Sequence, residues 1–200
     1  MNSVLGRLAF AAVATVLFSV ETASAATVTT LCPGTAATTD REFSVTTVAP
    51  GATCIASGVG NISGNPGGAN PDPLFGILGA GYQLIDKSDS GPSILSVTGT
   101  GTLSGNWSFL LPAAPAGMMW ANLVLAFKSG VAQLNPDWAA FGLAPGVTSG
   151  TWSIASGQQS LSHANLYGQL VPSAVPLPAA GFLLVGGLGA MGVLRRRRKA

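Results

Sequence analysis

From residue 43 to 48 the chain reads FSVTTV, apolar and hydroxyl side chains in turn. That period of two is the pattern of a half-buried strand. Similar short runs follow at 82–86 (YQLID), 94–98 (ILSVT), 103–111 (LSGNWSFLL), 138–143 (WAAFGL), 151–154 (TWSI) and 161–170 (LSHANLYGQL). Residues 123–127 (LVLAF) are apolar throughout, as an inner strand buried on both faces would be. Turn chemistry separates the runs: KSDSG at 87–91, and Gly99-Thr100-Gly101 between two of the strands. Residues 56–73, rich in Gly, Asn and Pro, predict a long loop. Nothing between the two ends of the chain keeps a 3.6-residue period with caps. About eight short strands at this spacing predict an all-β domain, an antiparallel β-sandwich or jelly roll.

Both ends of the chain break the pattern. Residues 8–20 form an uncharged, mostly apolar run behind a short stretch carrying Arg7, and Ala23-Ser24-Ala25 supplies a small-x-small site. These are the parts of a secretory signal peptide, a helical h-region with cleavage between Ala25 and Ala26. At the other end, Val175-Pro176-Leu177-Pro178-Ala179 precedes an uncharged apolar run to Leu194 and the cations Arg195, Arg196, Arg197, Arg198 and Lys199. The two prolines fix φ and remove backbone donors, and they push the residues before them toward extended conformations. A helix over residues 179–194 would rise about 24 Å, short of a hydrocarbon core of about 30 Å. Snorkelling arginines and local thinning can close that gap. The cationic block would hold this end in the cytoplasm. The expected organisation is therefore a signal peptide (1–25), an exported passenger (26–174) and a tail (175–200) with a transmembrane helix.

A Pro-x-Pro motif, a short apolar span and an arginine cluster in this order resemble the PEP-CTERM sorting signals, in the variant that reads Val-Pro-Leu-Pro-Ala. Val175, Pro176, Leu177, Pro178 and Ala179 match that variant in full. The resemblance implies recognition by an exosortase, a membrane-embedded cysteine enzyme, after signal peptidase has acted at the other end. It further implies a passage through the inner membrane, release to the cell surface or the extracellular matrix, and association with exopolysaccharide. The segments LAFKSG and SHANLYG, with the tryptophan-containing strand, more loosely resemble passenger domains seen with such tails, and that likeness carries no activity. An ordinary single-span anchor without processing is the alternative reading of the same tail.

Charge changes the picture once the ends are set aside. The whole chain is formally +2, but residues 26–174 hold the acids Asp40, Glu42, Asp72, Asp86, Asp89 and Asp137 against only Arg41, Lys87 and Lys128. The cationic excess belongs to the ends, and a net-acidic passenger gives no basis for nucleic-acid binding. Cys32 and Cys54 are the only cysteines. In an exported protein an even count predicts a disulfide, worth roughly 3 kcal/mol for a loop of about 20 residues.

Candidate chemistry is thin. His163, the only histidine, stands between Ser162 and Ala164 with Ser160 nearby, in no GxSxG-type context. A Ser-His-Asp site would need an acid to orient it. Asp86 and Asp89 could offer oxygens to calcium, but Lys87 lies between them, and the segment reads as a polar turn. Trp107, Trp120, Trp138 and Trp152 would have to lie exposed in a row to stack on sugars; in a sandwich they belong in the core. The expectation is a non-enzymatic exported protein without catalytic, cofactor or metal residues, with a carbohydrate-binding module as the alternative.

Overall fold

Alternation along Glu42–Val48 becomes sidedness: Phe43 and Val45 are buried, while Ser44 and Thr46 look outward. The computed structural model describes residues 25–33, 41–130, 135–155 and 159–173. In chain order they form β1 (Thr27–Pro33), β2 (Glu42–Val48), β3 (Ala52–Gly58), α1 (Pro73–Leu78), β4 (Tyr82–Lys87), β5 (Leu95–Val97), β6 (Ser104–Phe109), β7 (Met118–Ser129), β8 (Trp138–Leu143), β9 (Ser149–Ala155) and β10 (Leu161–Pro172). Two five-stranded sheets result, ordered β1-β2-β9-β6-β5 and β3-β8-β7-β10-β4. Every strand pairing is antiparallel. The domain is an all-β sandwich.

The main core lies between the sheets. Phe43, Trp107, Trp152 and Ile154 come from the first sheet and meet Leu125, Phe127, Phe141 and Leu166 of the second. Phe127 stacks on Trp152 across the gap at 5.8 Å between ring centroids and meets Phe141 edge-on at 6.2 Å. Truncating any one of these aromatics to alanine would cost on the order of 3–5 kcal/mol.

A second apolar cluster lies on the opposite face of the second sheet, where Ile62 and Leu74 cover Val124, Ala126, Trp138, Ala140 and Tyr167. The segment 59–81, with α1 in it, is the cover. Burial on both faces explains why 123–127 is continuously apolar, as expected of an inner strand.

Three features depart from the sequence expectation. β1 and β3 were not expected as strands, and residues 56–58, read as loop, close β3. Both are sheet edges, and β3 shows Thr53, Cys54 and Ile55 to solvent, so the one-sided apolar pattern is absent. Residues 73–78 form α1, too short to display a helical period. Its signals are local: Asp72 caps it, accepting from the Leu74 amide at 2.9 Å, and Pro73 starts it. The apolar run at 123–127 is the middle of a strand more than twice as long, since β7 spans 12 residues, as does β10.

β7 and β10 overrun their sheet. β8 pairs with β7 only from Val124 to Lys128, whereas β10 follows β7 down to the Pro172–Met118 pair. Where the two-stranded ribbon leaves the sheet, the register slips between Tyr167 and Gln169, and Asn122 on the facing strand takes φ +52°. Asparagine tolerates that left-handed backbone better than most residues, and its side-chain amide donates to the Gln169 Oε1 at 2.7 Å. The result is a β-bulge.

Cys32 and Cys54 are disulfide-bonded, with Cα atoms 5.2 Å apart and a sequence separation of 22. The bond ties β1 of one sheet to β3 of the other and closes that edge of the sandwich.

Candidate functional site

On β10, His163, Asn165 and Tyr167 occupy alternate positions and so share one face. It is the face beneath the 59–81 cover, and all three are buried there. The Tyr167 hydroxyl donates to the Asp72 Oδ2 at 2.6 Å and accepts from the Asn165 amide at 2.8 Å. Asn165 also donates to the Ile62 carbonyl at 3.1 Å, and the His163 Nε2 lies 3.0 Å from that same oxygen. Asp72 accepts from the Gly64 amide at 2.7 Å, besides capping α1. Gly64 has φ +76°, and a Cβ there would stand 2.6 Å from Leu84, so the position requires glycine. A chain of hydrogen bonds thus runs from α1 through the sheet face to the 59–64 loop.

Electrostatics fit a fixed network. Burial, with the Asp72 hydrogen bond, pushes the Tyr167 hydroxyl well above its ordinary value, so it stays a donor. Burial pulls the His163 imidazole below its ordinary value, against the opposing pull of the Ile62 carbonyl and Asp89. A carbonyl partner places the proton on Nε2 and leaves Nδ1 as the open nitrogen. Ser162 Oγ lies 3.3 Å from Nδ1, and Asp89 Oδ2 lies 4.0 Å from the same atom. A serine–histidine–acid relay needs the nucleophile and the acid on different ring nitrogens. Here both approach one nitrogen while a backbone carbonyl engages the other. The three side chains named by the sequence do meet, but in an arrangement that fastens a loop.

At the start of β8 lies a second polar cluster. Arg41 donates to Ser129 Oγ and stands 3.7 Å from Asp137 Oδ1, while Asp137 Oδ2 accepts from the Gly60 amide at 2.7 Å. Lys128 donates to the Ser129 carbonyl. Desolvation lowers the Lys128 pKa, and Asp137 opposes that shift. Arg41, Lys128 and Asp137 are all buried.

Asp86 and Asp89 do not converge. Asp86 Oδ2 accepts from Ser93 Oγ at 2.5 Å and from the Leu95 amide at 2.9 Å, while Asp89 faces Lys87 at 3.5 Å. Burial pushes the Asp86 carboxyl up, but those hydrogen bonds outweigh it and hold the pKa below the ordinary value. Among the described residues no three His, Cys, Asp or Glu side chains gather as a metal site would require. Trp107, Trp138 and Trp152 are core residues. Trp120 is only partly covered, and its Nε1 donates to the Pro112 carbonyl at 3.1 Å.

The outer face of the first sheet is open. Register aligns Thr29, Thr46, Thr151 and Asn106 in one row across four strands. Thr29 and Thr46 hydroxyls lie 2.7 Å apart, as do those of Ser44 and Ser153 in the adjoining row. A shallow depression of about 420 Å³ lies between Thr98, Asn106, Ser149 and Thr151. Its lining is neutral and rich in hydroxyls.

Ala25 and Ala26 are exposed at the start of the described chain. Ala23, the motif Val175, Pro176, Leu177, Pro178 and Ala179, and the cations Arg195, Arg196, Arg197, Arg198 and Lys199 lie outside the described residues. The sequence pattern assigns no site role to Asp72, Asn165 or Tyr167. The Asp72-Pro73 pair is a helix start signal, and a buried tyrosine requires a partner for its hydroxyl, so part of the network had a legible trace.

Compared with known proteins, the chain matches no family model, no curated protein and no solved structure.

Proposed function

We propose that this chain is an exported, non-enzymatic surface or matrix protein, carried to the membrane by a signal helix (1–25) and processed at its tail by an exosortase. The observation that carries the reading is the tail itself: Val175-Pro176-Leu177-Pro178-Ala179, an uncharged span to Leu194, then Arg195, Arg196, Arg197, Arg198 and Lys199. The prolines keep the motif extended at the outer interface, within reach of a membrane-embedded enzyme. A short transmembrane helix fixes its depth, and the arginines stop it sliding outward. The fold supports the reading in one respect. The sandwich is closed by its own disulfide and core, so a cut beyond Ser173 leaves the described strands whole. Association with exopolysaccharide is supported by the rows of hydroxyls on the outer face of the first sheet, which offer hydrogen-bond donors and acceptors.

Intact mass of the protein from cells with and without the sorting enzyme tests this. The mature protein should lack residues 1–25 and everything from near Pro178 onward. Replacing Pro176 and Pro178 with Ala lets the helix continue upward through the motif, and cleavage should fall while insertion persists. A surface fraction still ending at Ala200 in the wild type would overturn the sorting reading and leave a plain anchor.

A further inference from the structure

The ribbon of β7 and β10 projects toward the point where the chain leaves the domain, and the segment that leads into it is apolar. Residues 110–121 read LLPAAPAGMMWA, without one charged or hydrogen-bonding side chain except the Trp120 indole. Such a run would normally be buried. Here Leu110 is 81 % exposed and Met119 47 % exposed. Gly117, at φ +77°, forms the third position of a tight turn closed by the Met118 amide donating to the Pro115 carbonyl at 2.9 Å, so the loop is a defined structure. The facing strand adds Leu170, Val171 and Pro172. Along β10 the closest charged partners, Asp86 and Lys87, sit opposite Leu166 and Asn165, short of the ribbon.

The same loop marks the exit of the chain. The Ser173 amide donates to the Gly117 carbonyl at 2.8 Å. Residues 174–178 then separate it from the apolar span 179–194. Fully extended, five residues reach about 17 Å, so a tail seated in a bilayer holds this loop close to the headgroups. The other exit lies on the same side: the Ala26 carbonyl accepts from Ala49, the Gly51 carbonyl from Ala144, and β8 then leads by its register to the lower part of β7.

We propose that loop 110–117 and the ribbon it joins are a membrane-facing surface that lies in the interfacial layer of the bilayer entered by residues 179–194. The occupant of this surface is lipid. An apolar body with one partly exposed tryptophan, its N–H satisfied, is the chemistry that favours that layer. No lysine or arginine stands in the loop or ribbon, so the contact should not depend on anionic lipid. Its consequence is orientation: the domain stands with β7 and β10 pointing down, and the motif is held at the interface rather than swinging on a loose tether. The inference rests on the reading of the tail as a membrane span.

The test uses the full chain in phosphatidylcholine vesicles whose acyl chains are brominated just below the headgroups. Trp120 is one tryptophan of four, and the other three are core residues. Roughly a quarter of the emission should be quenched, the quenching should vanish in Trp120→Phe, and it should shrink in Leu110→Ser/Met119→Ser. Added phosphatidylserine should leave it unchanged. A chain that resists carbonate extraction yet shows no quenching at Trp120 overturns this inference and leaves the tail reading standing. Shielding of Trp120 from aqueous acrylamide without quenching by brominated lipid would mean that protein covers the surface, which also overturns it. A chain that carbonate strips from the vesicles removes the tail reading, and this inference with it.

Discussion

The two ends of the β7–β10 pair are built on opposite principles. At one end Lys128 and Ser129 meet Arg41, Asp137 and His163, and nearly every charge is buried. At the other end Met119 and Leu110 are exposed, and no charge is present. Ordinary folding would exchange the two. The first end makes sense as a lock: its polar groups hold the segments on either side, Gly60 through Asp137 and Ile62 through His163. The second fits the lipid surface proposed above. One end is organised by the protein's own chain, the other by what lies outside it.

The largest effect should come from Asp137. Its carboxylate stands 3.7 Å from the Arg41 guanidinium and also accepts from the Gly60 amide. Asp137→Ala removes the carboxylate that stands against the buried Arg41 and Lys128 cations. Removing one partner of a buried pair typically costs on the order of 3–5 kcal/mol. Urea unfolding of the folded domain should show a loss of that size. A loss under about 1 kcal/mol would mean that the charges are solvated, and the contrast between the two ends would fail.

How much of this was legible follows the burial pattern. Where one face is buried, as in Phe43 to Val48, the period of two is plain, and the strand reads correctly. β9 with Trp152 announces itself in the same way. Where both faces are exposed or both covered the period disappears: no strand is predicted for β3, whose residues 56–58 read as loop, and β7 is predicted only over 123–127. The Asp72–Tyr167 contact links residues 95 apart. Nothing local encodes such a distance, although the alternation of His163, Asn165 and Tyr167 already set three polar groups on one face. Within the apolar stretch 110–121 only Leu110 and Leu111 are predicted, as the end of the strand 103–111. Only the fold shows that Leu110 and Met119 stay exposed and that Gly117 meets Ser173.

A smaller effect should appear at His163, and its sign is fixed by the direction of the shift. Burial lowers the imidazole pKa in the folded protein, so between that value and about 6.5 the unfolded chain binds more protons. The stability contributed by neutral His163 is complete above about pH 6.5 and is lost as pH falls through the folded pKa. Asp86 also acts toward acid, but only below its own ordinary carboxylate range. Urea midpoints measured from pH 7.5 to 5 should fall in the wild type and stay flatter in His163→Gln. Asp89 and Lys87 sit near the ring with opposite charges, so Asp89→Asn should steepen the wild-type slope. A midpoint that rises toward acid would show that the folded state prefers the imidazolium, and the lock would then be an ion pair with Asp89.

The smallest effect is expected at the other end of the same strand pair. Met119 is 47 % exposed and pairs across the ribbon with Val171. Its backbone bonds are those of the ladder and do not depend on the side chain. Met119→Ser removes a side chain that is about half exposed to water in the isolated protein and lies on a two-stranded ribbon, so limited burial is lost. Substitutions at such positions usually stay within about 0.5 kcal/mol. The urea midpoint of the detergent-free, tail-cleaved protein should therefore match the wild type, while lipid quenching of Trp120 in the full chain falls. The two readouts separate what the side chain does for folding from what it does for contact. A loss above about 1 kcal/mol in the free protein would mean that Met119 is buried against another part of the molecule, and the ribbon would then belong to the core like the end that carries Lys128.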